Sequence, residues 1–263
     1  MPEVLCRLCG TDTNYVASGT LLGNITVKYF ECFHCSYVQT EQPNWLGRAY
    51  SDAINLTDTG ILGRNLLNAR IVQTTLLCLK VSDPLVVDYA GGYGILVRRL
   101  RDVGVRALWR DQYCTNLLAK GFEHVDEPAD LVTAFEVLEH FVDPVSEVRR
   151  LANLGATILV STELMPSITP RPENWWYYGL DHGQHIGFFR HKSLEFLADS
   201  LGLKLISDGK SYHLLTKKAV NSRLWLFLRR YNSIMTVINK IVRRSLTDHD
   251  YSMLLKRQRS QES

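Results

Sequence analysis

A chain of 263 residues with 46% hydrophobic and 22% charged residues is long enough for one large domain with small attachments, and its composition is that of a protein with a buried core. No run of eighteen apolar residues occurs, so no transmembrane helix is expected, and the Met-Pro-Glu-Val-Leu-Cys start lacks a secretory pattern, so a cytoplasmic location is expected. The net charge of +3 is uneven: residues from Lys217 onward carry +8 and the rest −5, which argues against a nucleic-acid surface spread over the whole molecule and leaves the tail open to an anionic partner.

Taken in chain order, the first feature is a pair of Cys-x-x-Cys turns, Cys6–Cys9 and Cys32–Cys35. Each such turn points two thiolates at one centre, and two turns complete a tetrahedral Zn²⁺ site. Residues 25–30 between them alternate as a strand should. The pattern is that of a zinc ribbon over residues 1–44, closed by four thiolates and therefore a structural staple. His34 is a competing ligand that four cysteines make unnecessary. Cys78 and Cys114 read as small core residues. Residues 45–79 read as a lid or a connector containing a helical run from Leu66 to Leu79, with Tyr50 and Arg64 as candidate acceptor contacts.

The most informative stretch is Pro84 to Leu100. An apolar run, Leu85 to Val87, reads as a buried parallel strand; a small-residue turn follows, and Ile95, Leu96 and Leu100 share one face of a helix. Glycines there let a ligand approach the backbone, and the helix N-terminus offers free N–H groups. The G-x-G-x-x-G spacing of a dinucleotide loop is not met. A second strand, 105–110, ends at Asp111. A third leads from Asp130 into Glu136-Val-Leu-Glu139-His140-Phe-Val-Asp-Pro144 at the carboxyl edge of the sheet, where open α/β folds bind ligands. Residues 155–162 supply a further strand, Ser193 to Leu201 an amphipathic helix, and 203–206 with 212–216 an antiparallel edge.

These three motifs in this order resemble the class I S-adenosylmethionine-dependent methyltransferases, over about residues 80–216. Asp88-Tyr-Ala90-Gly-Gly92-Tyr-Gly94 is similar to that family's D-x-G-x-G-x-G loop, with Ala90 where its first glycine usually stands. The resemblance implies an α/β, Rossmann-like sheet over residues 80–218 and S-adenosylmethionine as cofactor. It places Asp88, Ala90, Gly92, Gly94, Asp111 and Glu136 at the cofactor, Asp111 accepting from the ribose hydroxyls. It also implies an acceptor pocket built from the loops after the fourth and fifth strands. The second of these loops holds Trp175 to Tyr178 and His182 to His185. Trp176, Tyr177 and Tyr178 are candidate acceptor contacts, since four consecutive aromatics cannot all enter one core. His185 and His140 are the candidate bases, with Glu139 orienting or replacing the latter.

An N-terminal zinc knot joined to such a domain is similar to bacterial sugar C-methyltransferases and to shorter relatives associated with polysaccharide synthesis. The expected reaction is therefore O- or C-methylation of a sugar, nucleotide-linked or polymeric. Alternatives are a small phenolic metabolite as acceptor, or a non-catalytic module whose ribbon recognises protein or nucleic acid. Residues 219–263 read as a basic helical tail: Leu224, Phe227, Leu228, Tyr231, Met235, Ile238 and Val242 recur at helical spacing among arginines and lysines. That stripe suits either docking on its own domain or peripheral contact with anionic lipid. Order is not expected after about Lys256.

Overall fold

The computed structural model describes residues 4–50, 58–235, 237–238 and 243–261. Its compact units are discontinuous in sequence. One comprises Met1–Thr57, Ala134–Asn153 and Ile158–Lys217; the other comprises Asp58–Thr133, Leu154–Thr157 and Lys218–Ser263. The four consecutive segments expected from sequence are thus interleaved, because parallel strands that lie side by side are separated along the chain by crossover connections.

Among the described residues two sheets form. The smaller has the order β1-β2-β3-β8, from β1 (Asn14–Leu21), β2 (Ile25–Glu31), β3 (Val38–Thr40) and β8 (Gly187–Phe188). The larger has the order β5-β4-β6-β7-β10-β9, from β4 (Leu85–Tyr89), β5 (Arg106–Arg110), β6 (Leu131–Phe135), β7 (Thr157–Ser161), β9 (Lys204–Ser207) and β10 (Tyr212–Thr216). Strand β4 pairs in parallel with β5 and β6, and β10 antiparallel with β9. With α2 (Ile61–Leu79), α3 (Ile95–Asp102), α4 (Pro144–Leu154) and α5 (His191–Ser200) on the connections, after the short α1 (Leu46–Ala49), this is a mixed α/β, Rossmann-like architecture. Strands β4 and β7 read as continuous apolar runs because they are buried along their length.

In the first unit the core is aromatic. Leu21, Val27, Tyr29, Val38, Trp45, Tyr177, Tyr178 and Phe188 close around the small sheet. The contribution of β8 is the part of this sheet that no local pattern announces. Residues 187–188 pair with β3, Val38 opposite Phe188 and Gln39 opposite Gly187. Gly187 is required there, since a Cβ would fall 1.8 Å from the Tyr37 hydroxyl oxygen.

In the second unit the C-terminal tail is anchored by Trp225 and by Asp250, neither of them a residue of the apolar stripe. Helix α6 (Ser222–Arg230) is capped by Asn221, whose side chain accepts from Leu224 N. Trp225 anchors it: the indole is fully buried and donates to Thr75 Oγ1 of α2 at 2.9 Å. Leu224, Phe227 and Tyr231 of the stripe are left exposed, while Met235 is buried. The helix ends at Tyr231, a 3₁₀ turn covers Asn232–Ile234, and Lys240 and Val242 lie outside the described residues. The second anchor lies on α7 (Thr247–Gln261), which continues helical past Lys256 and corrects the expectation of disorder there. Asp248 and Asp250 in its first turn and Arg259 in its last suit the helix dipole. Asp250 also receives Arg101 through two bonds of 2.6 and 2.7 Å and Arg98 through one of 2.7 Å. Gly104 lets the approaching segment lie close, as a Cβ there would meet Arg244 O at 2.3 Å.

Burial alone raises the Asp250 carboxyl, but the bonds from Arg101 and Arg98 outweigh it and hold the carboxyl below its ordinary value. Asp250→Ala leaves the buried Arg101 guanidinium without its partner. We expect a loss of about 3 kcal/mol in unfolding free energy by denaturant titration, with faster proteolysis after residue 244. A loss below about 0.5 kcal/mol contradicts the anchoring role.

Candidate active site

The turn between β4 and α3 carries the first group of candidate residues. Ala90, Gly92 and Gly94 all adopt left-handed backbone, with φ of 57°, 54° and 85°. Three left-handed residues in five reverse the chain within the loop, and this is the conformation glycine tolerates best. Ala90 occupies it as an L-residue. Gly94 has a further reason to lack a side chain: a Cβ would lie 2.9 Å from Ala119 N and Asn116 Oδ1. A Cβ on Gly91 would lie 2.8 Å from Trp109 Cδ1, and the Trp109 indole donates to Gly92 O at 2.8 Å.

Asp111 closes this loop. One carboxylate oxygen accepts from Gly92 N at 3.0 Å, and the other from Tyr113 N at 2.7 Å and Cys114 N at 2.9 Å. The residue expected at the ribose therefore also ties the strand end to the loop. Asp88 is buried at the end of β4 and accepts from Thr133 Oγ1 at 2.7 Å. Burial pushes its carboxyl up to about 7, partly offset by the Thr133 bond and reinforced by the nearby Asp111 charge.

In the other unit, Glu136 follows β6 with φ of 52°, and Ser161 Oγ donates to its carboxylate at 2.5 Å. Three residues later the chain places Glu139, fully buried, and His140 in a 3₁₀ turn, Leu138–His140. His185 arrives from the loop after β7. Its Nε2 lies 4.0 Å from Glu139 Oε1, and His140 Nε2 lies 3.9 Å from the same oxygen. The two imidazole rings meet edge to face with centroids 5.0 Å apart. His185 Nδ1–H donates to Tyr177 O at 2.6 Å, which fixes its tautomer and turns the Nε2 lone pair inward. Burial lowers His185 and His182 to about 4 and holds His140 well below its ordinary value, so all three imidazoles are neutral at pH 7. Burial pushes Glu139 up to about 7, partly offset by its own backbone N–H and by the Tyr177 and Thr162 hydroxyls, and among the described residues no group meets either of its oxygens in full hydrogen-bond geometry.

The expected acceptor contacts separate. Tyr50 is exposed and its hydroxyl is 2.6 Å from His140 Nδ1. Trp176 is 76% exposed, but Tyr177 and Tyr178 are buried in the aromatic core, where Tyr178 packs on Tyr29 and Phe188. Core packing takes both tyrosine faces, so an aromatic platform of three rings does not form. Arg64 lies in α2 of the other unit and pairs with Asp58 at 2.5 Å. Two residues that the motif reading left out matter here. His182, packed on Gly179, stands with its ring centroid 4.8 Å from His185, a neighbour that the His-Gly-Gln-His spacing signals. Arg7 donates through Nη2 to Ile186 O at 2.6 Å, and nothing in the sequence signals that bond.

The four N-terminal cysteines converge. Cys6 Sγ is 3.6 Å from Cys35 Sγ, Cys9 Sγ is 3.4 Å from Cys32 Sγ, and all four lie within 4.8 Å of one another. Tetrahedral Zn–S bonds of about 2.3 Å put sulfurs about 3.8 Å apart, so this donor set fits zinc. The two turns share one backbone form: Gly10 N bonds Cys6 O and Ser36 N bonds Cys32 O, with Gly10 and Ser36 both left-handed. His34 packs instead on the ring of Phe196.

Strand order, the left-handed loop and the acidic residue after β5 define a Rossmann-like ligand-binding fold. Residues 64–208 match the family described as "Methyltransferase domain", and the chain belongs to that family. A search of curated proteins found no match. Similar solved structures include TnmH, 19% identical, with a TM-score of 0.47 over 67% of this chain and 62% of that one. Magnesium protoporphyrin IX methyltransferase (ChlM) from Synechocystis PCC 6803, with bound SAH, is 15% identical, with a TM-score of 0.41 over 65% and 90%. An O-methyltransferase family 2 protein from Planctomyces limnophilus DSM 3776, in complex with apigenin, is 16% identical, with a TM-score of 0.42 over 66% and 69%. The chain thus spans somewhat less than two thirds of TnmH.

Because the folded state holds the Asp88 proton up to about pH 7 and the unfolded chain releases it near 3.8, the folded state binds more protons in between. Stability therefore falls as pH rises from about 4 to 7 on account of this group. Asp88→Asn is expected to flatten that part of the pH profile of the thermal midpoint; an unchanged slope refutes the assignment.

Proposed function

We propose that this chain is an enzyme that transfers the methyl group of S-adenosylmethionine to a hydroxyl of a sugar-like acceptor, leaving S-adenosylhomocysteine. The observation that carries the reading is the Asp88–Gly94 turn, with its left-handed Ala90, Gly92 and Gly94 and the Asp111 carboxylate tied to Gly92 N. Asp88 and Asp111 are the proposed polar contacts to the cofactor. When bound, the cofactor supplies an electrophilic methyl on a sulfonium sulfur. The chain's own part is to hold that group and to activate the attacking oxygen. Glu139, His140 and His185 are the proposed catalytic group, since a hydroxyl becomes a competent nucleophile only as it loses its proton.

The sugar class draws support from the exposed Trp176 ring and from the Tyr50 phenol beside His140, both in the same unit as the imidazoles. The four thiolates hold a structural zinc in this reading, with no coordination position open to a substrate.

The cofactor reading is tested by heat-induced unfolding with and without S-adenosylhomocysteine. A ligand at a hundred times its Kd stabilises by about 2.7 kcal/mol, a clear rise in midpoint. Asp111→Ala should abolish the rise, and Asp111→Asn, which keeps one acceptor oxygen, should retain part of it. No rise in the wild type overturns the reading. With binding established, release of S-adenosylhomocysteine is measured against nucleotide-linked sugars, oligosaccharides and phenols; turnover of phenols alone overturns the sugar class.

Among the described residues no helix is long and apolar enough to cross a membrane. Helix α6 nevertheless exposes Leu224, Leu226 and Phe227, and Tyr231 follows, beside Arg223 and Arg230. We propose peripheral contact of this face with anionic lipid. Sedimentation with phosphatidylserine vesicles should carry the protein down at low salt, and Phe227→Ser should weaken this several-fold. Equal recovery with neutral vesicles counts against it.

A further inference from the structure

Three donor atoms in the first unit face one another. Glu139 Oε1, His140 Nε2 and His185 Nε2 all lie within 4.8 Å of one another, Glu139 Oε1 at 3.9 and 4.0 Å from the two nitrogens. These separations are too long for hydrogen bonds, so the imidazoles do not satisfy the carboxylate directly. Glu139 is fully buried, and among the described residues neither of its oxygens has a partner in full hydrogen-bond geometry. A buried carboxylate is held at a large solvation cost unless a cation or donors meet it.

The surroundings orient the ligand atoms rather than satisfying them. His185 Nδ1–H is committed to Tyr177 O, which leaves Nε2 as a lone pair aimed at Glu139. His140 is engaged at Nδ1 by the Tyr50 hydroxyl, so its Nε2 is the atom offered inward. An outer hydrogen bond on the far ring nitrogen is how proteins prepare histidines for metal. Two imidazoles and one carboxylate form a donor set for Zn²⁺, Fe²⁺, Mn²⁺ or Co²⁺, and a three-ligand site keeps positions open. Ligand bonds of about 2.0–2.1 Å require donor separations of about 3.0–3.4 Å, so the 3.9 and 4.0 Å separations from Glu139 Oε1 to the two nitrogens need to shorten by about 1 Å or less to hold a cation.

We propose that Glu139, His140 and His185 bind a divalent cation whose open positions take the acceptor's oxygen. The cation is distinct from the zinc of the four cysteines: its donors are nitrogen and oxygen, and it has room for a substrate. Its role rests on the methyl-transfer reading above and deepens it, because a hydroxyl bound to a divalent cation gives up its proton to solvent water at a lower pH, leaving the oxygen to take the methyl group as S-adenosylhomocysteine departs. His140 and His185 are then ligands rather than bases. His182, adjacent to His185, stays outside the coordination set.

The full-length protein is stripped with a weak chelator that leaves thiolate-bound zinc in place, then titrated with Co²⁺ alone. Metal is counted by elemental analysis and followed by absorption. The wild type is expected to hold one zinc and one cobalt per chain, the cobalt showing weak visible bands without sulfur charge transfer. Glu139→Gln and His185→Ala each lose the cobalt while the zinc count and the circular dichroism stay as in the wild type. His182→Ala keeps both metals. A wild type that binds no cobalt beyond the cysteine site, or a Glu139→Gln variant that still binds it, overturns the proposal; the wild-type titration decides even where a variant fails to fold. S-adenosylhomocysteine stabilisation is measured on the same cobalt-free sample. A thermal shift without cobalt binding refutes the cation site alone, and cobalt binding without a shift refutes the methyltransferase reading alone.

Discussion

The first unit is organised around the guanidinium of Arg7. It sits between Cys6 and Cys9, inside the first cysteine turn, and its Nη2 donates to Ile186 O at 2.6 Å and to Thr40 O and Oγ1 at 3.2 and 3.3 Å. Its own backbone N–H bonds Gln39 Oε1, and Gln39 in turn donates to Leu5 O. Ile186 is the residue after His185, and its N–H is given to Glu139 O at 2.8 Å. One side chain therefore links the cysteine knot, strand β3 and the backbone that carries both His185 and Glu139. A charge-assisted bond to a carbonyl is directional and stronger than a neutral one. Loosening the knot would release the carbonyl beside His185, so the four thiolates stabilise more than their own turns.

The second unit depends on a different constraint, the backbone conformation between β4 and α3. A left-handed residue other than glycine costs about 1–2 kcal/mol, and Ala90 and, in the other unit, Glu136 both adopt it at strand ends. Bonds that would otherwise go to solvent hold the loop in place: Asp111 accepts from three backbone N–H groups and Trp109 donates to Gly92 O. The same carboxylate oxygens retain lone pairs, so holding the loop and accepting from a ligand hydroxyl are compatible.

The α/β class and the strand–loop–helix around Asp88 were legible in the sequence because they are written in local periods: an apolar run, a glycine cluster, then a helical face. The four-sulfur cluster was legible for a similar reason, since two Cys-x-x-Cys turns fix most of its geometry within ten residues each. What stayed hidden was set by contacts distant along the chain. Gly187–Phe188 is too short to register as a strand and pairs with β3, about 150 residues earlier along the chain. The aromatic run at 175–178 gave no sign of which rings would enter the core, and that division follows from Tyr29 and Phe188. Trp225 escaped the tail's apolar stripe because it lies off that face, yet it is the residue that docks α6. The order of α7 comes from Asp250 meeting Arg98 and Arg101, a charge pairing that composition alone marks only as a basic tail.

Two buried carboxylates sit differently with respect to these constraints. Asp88 has Thr133 as a donor and ends a strand, so its burial is partly compensated and its raised proton affinity follows from desolvation. Among the described residues Glu139 has no donor in such geometry, although its own backbone N–H and the Tyr177 and Thr162 hydroxyls, the last two bonded to each other at 3.2 Å, lie nearby. A fold selected for stability alone would replace Glu139 by glutamine or an apolar residue, since an unsatisfied buried carboxylate destabilises whatever state contains it. Departures from local consistency of this kind gather where a protein acts on something outside itself. Glu139, His140 and His185 are one such departure, and the Arg7 clamp holds rigid the backbone that carries two of them.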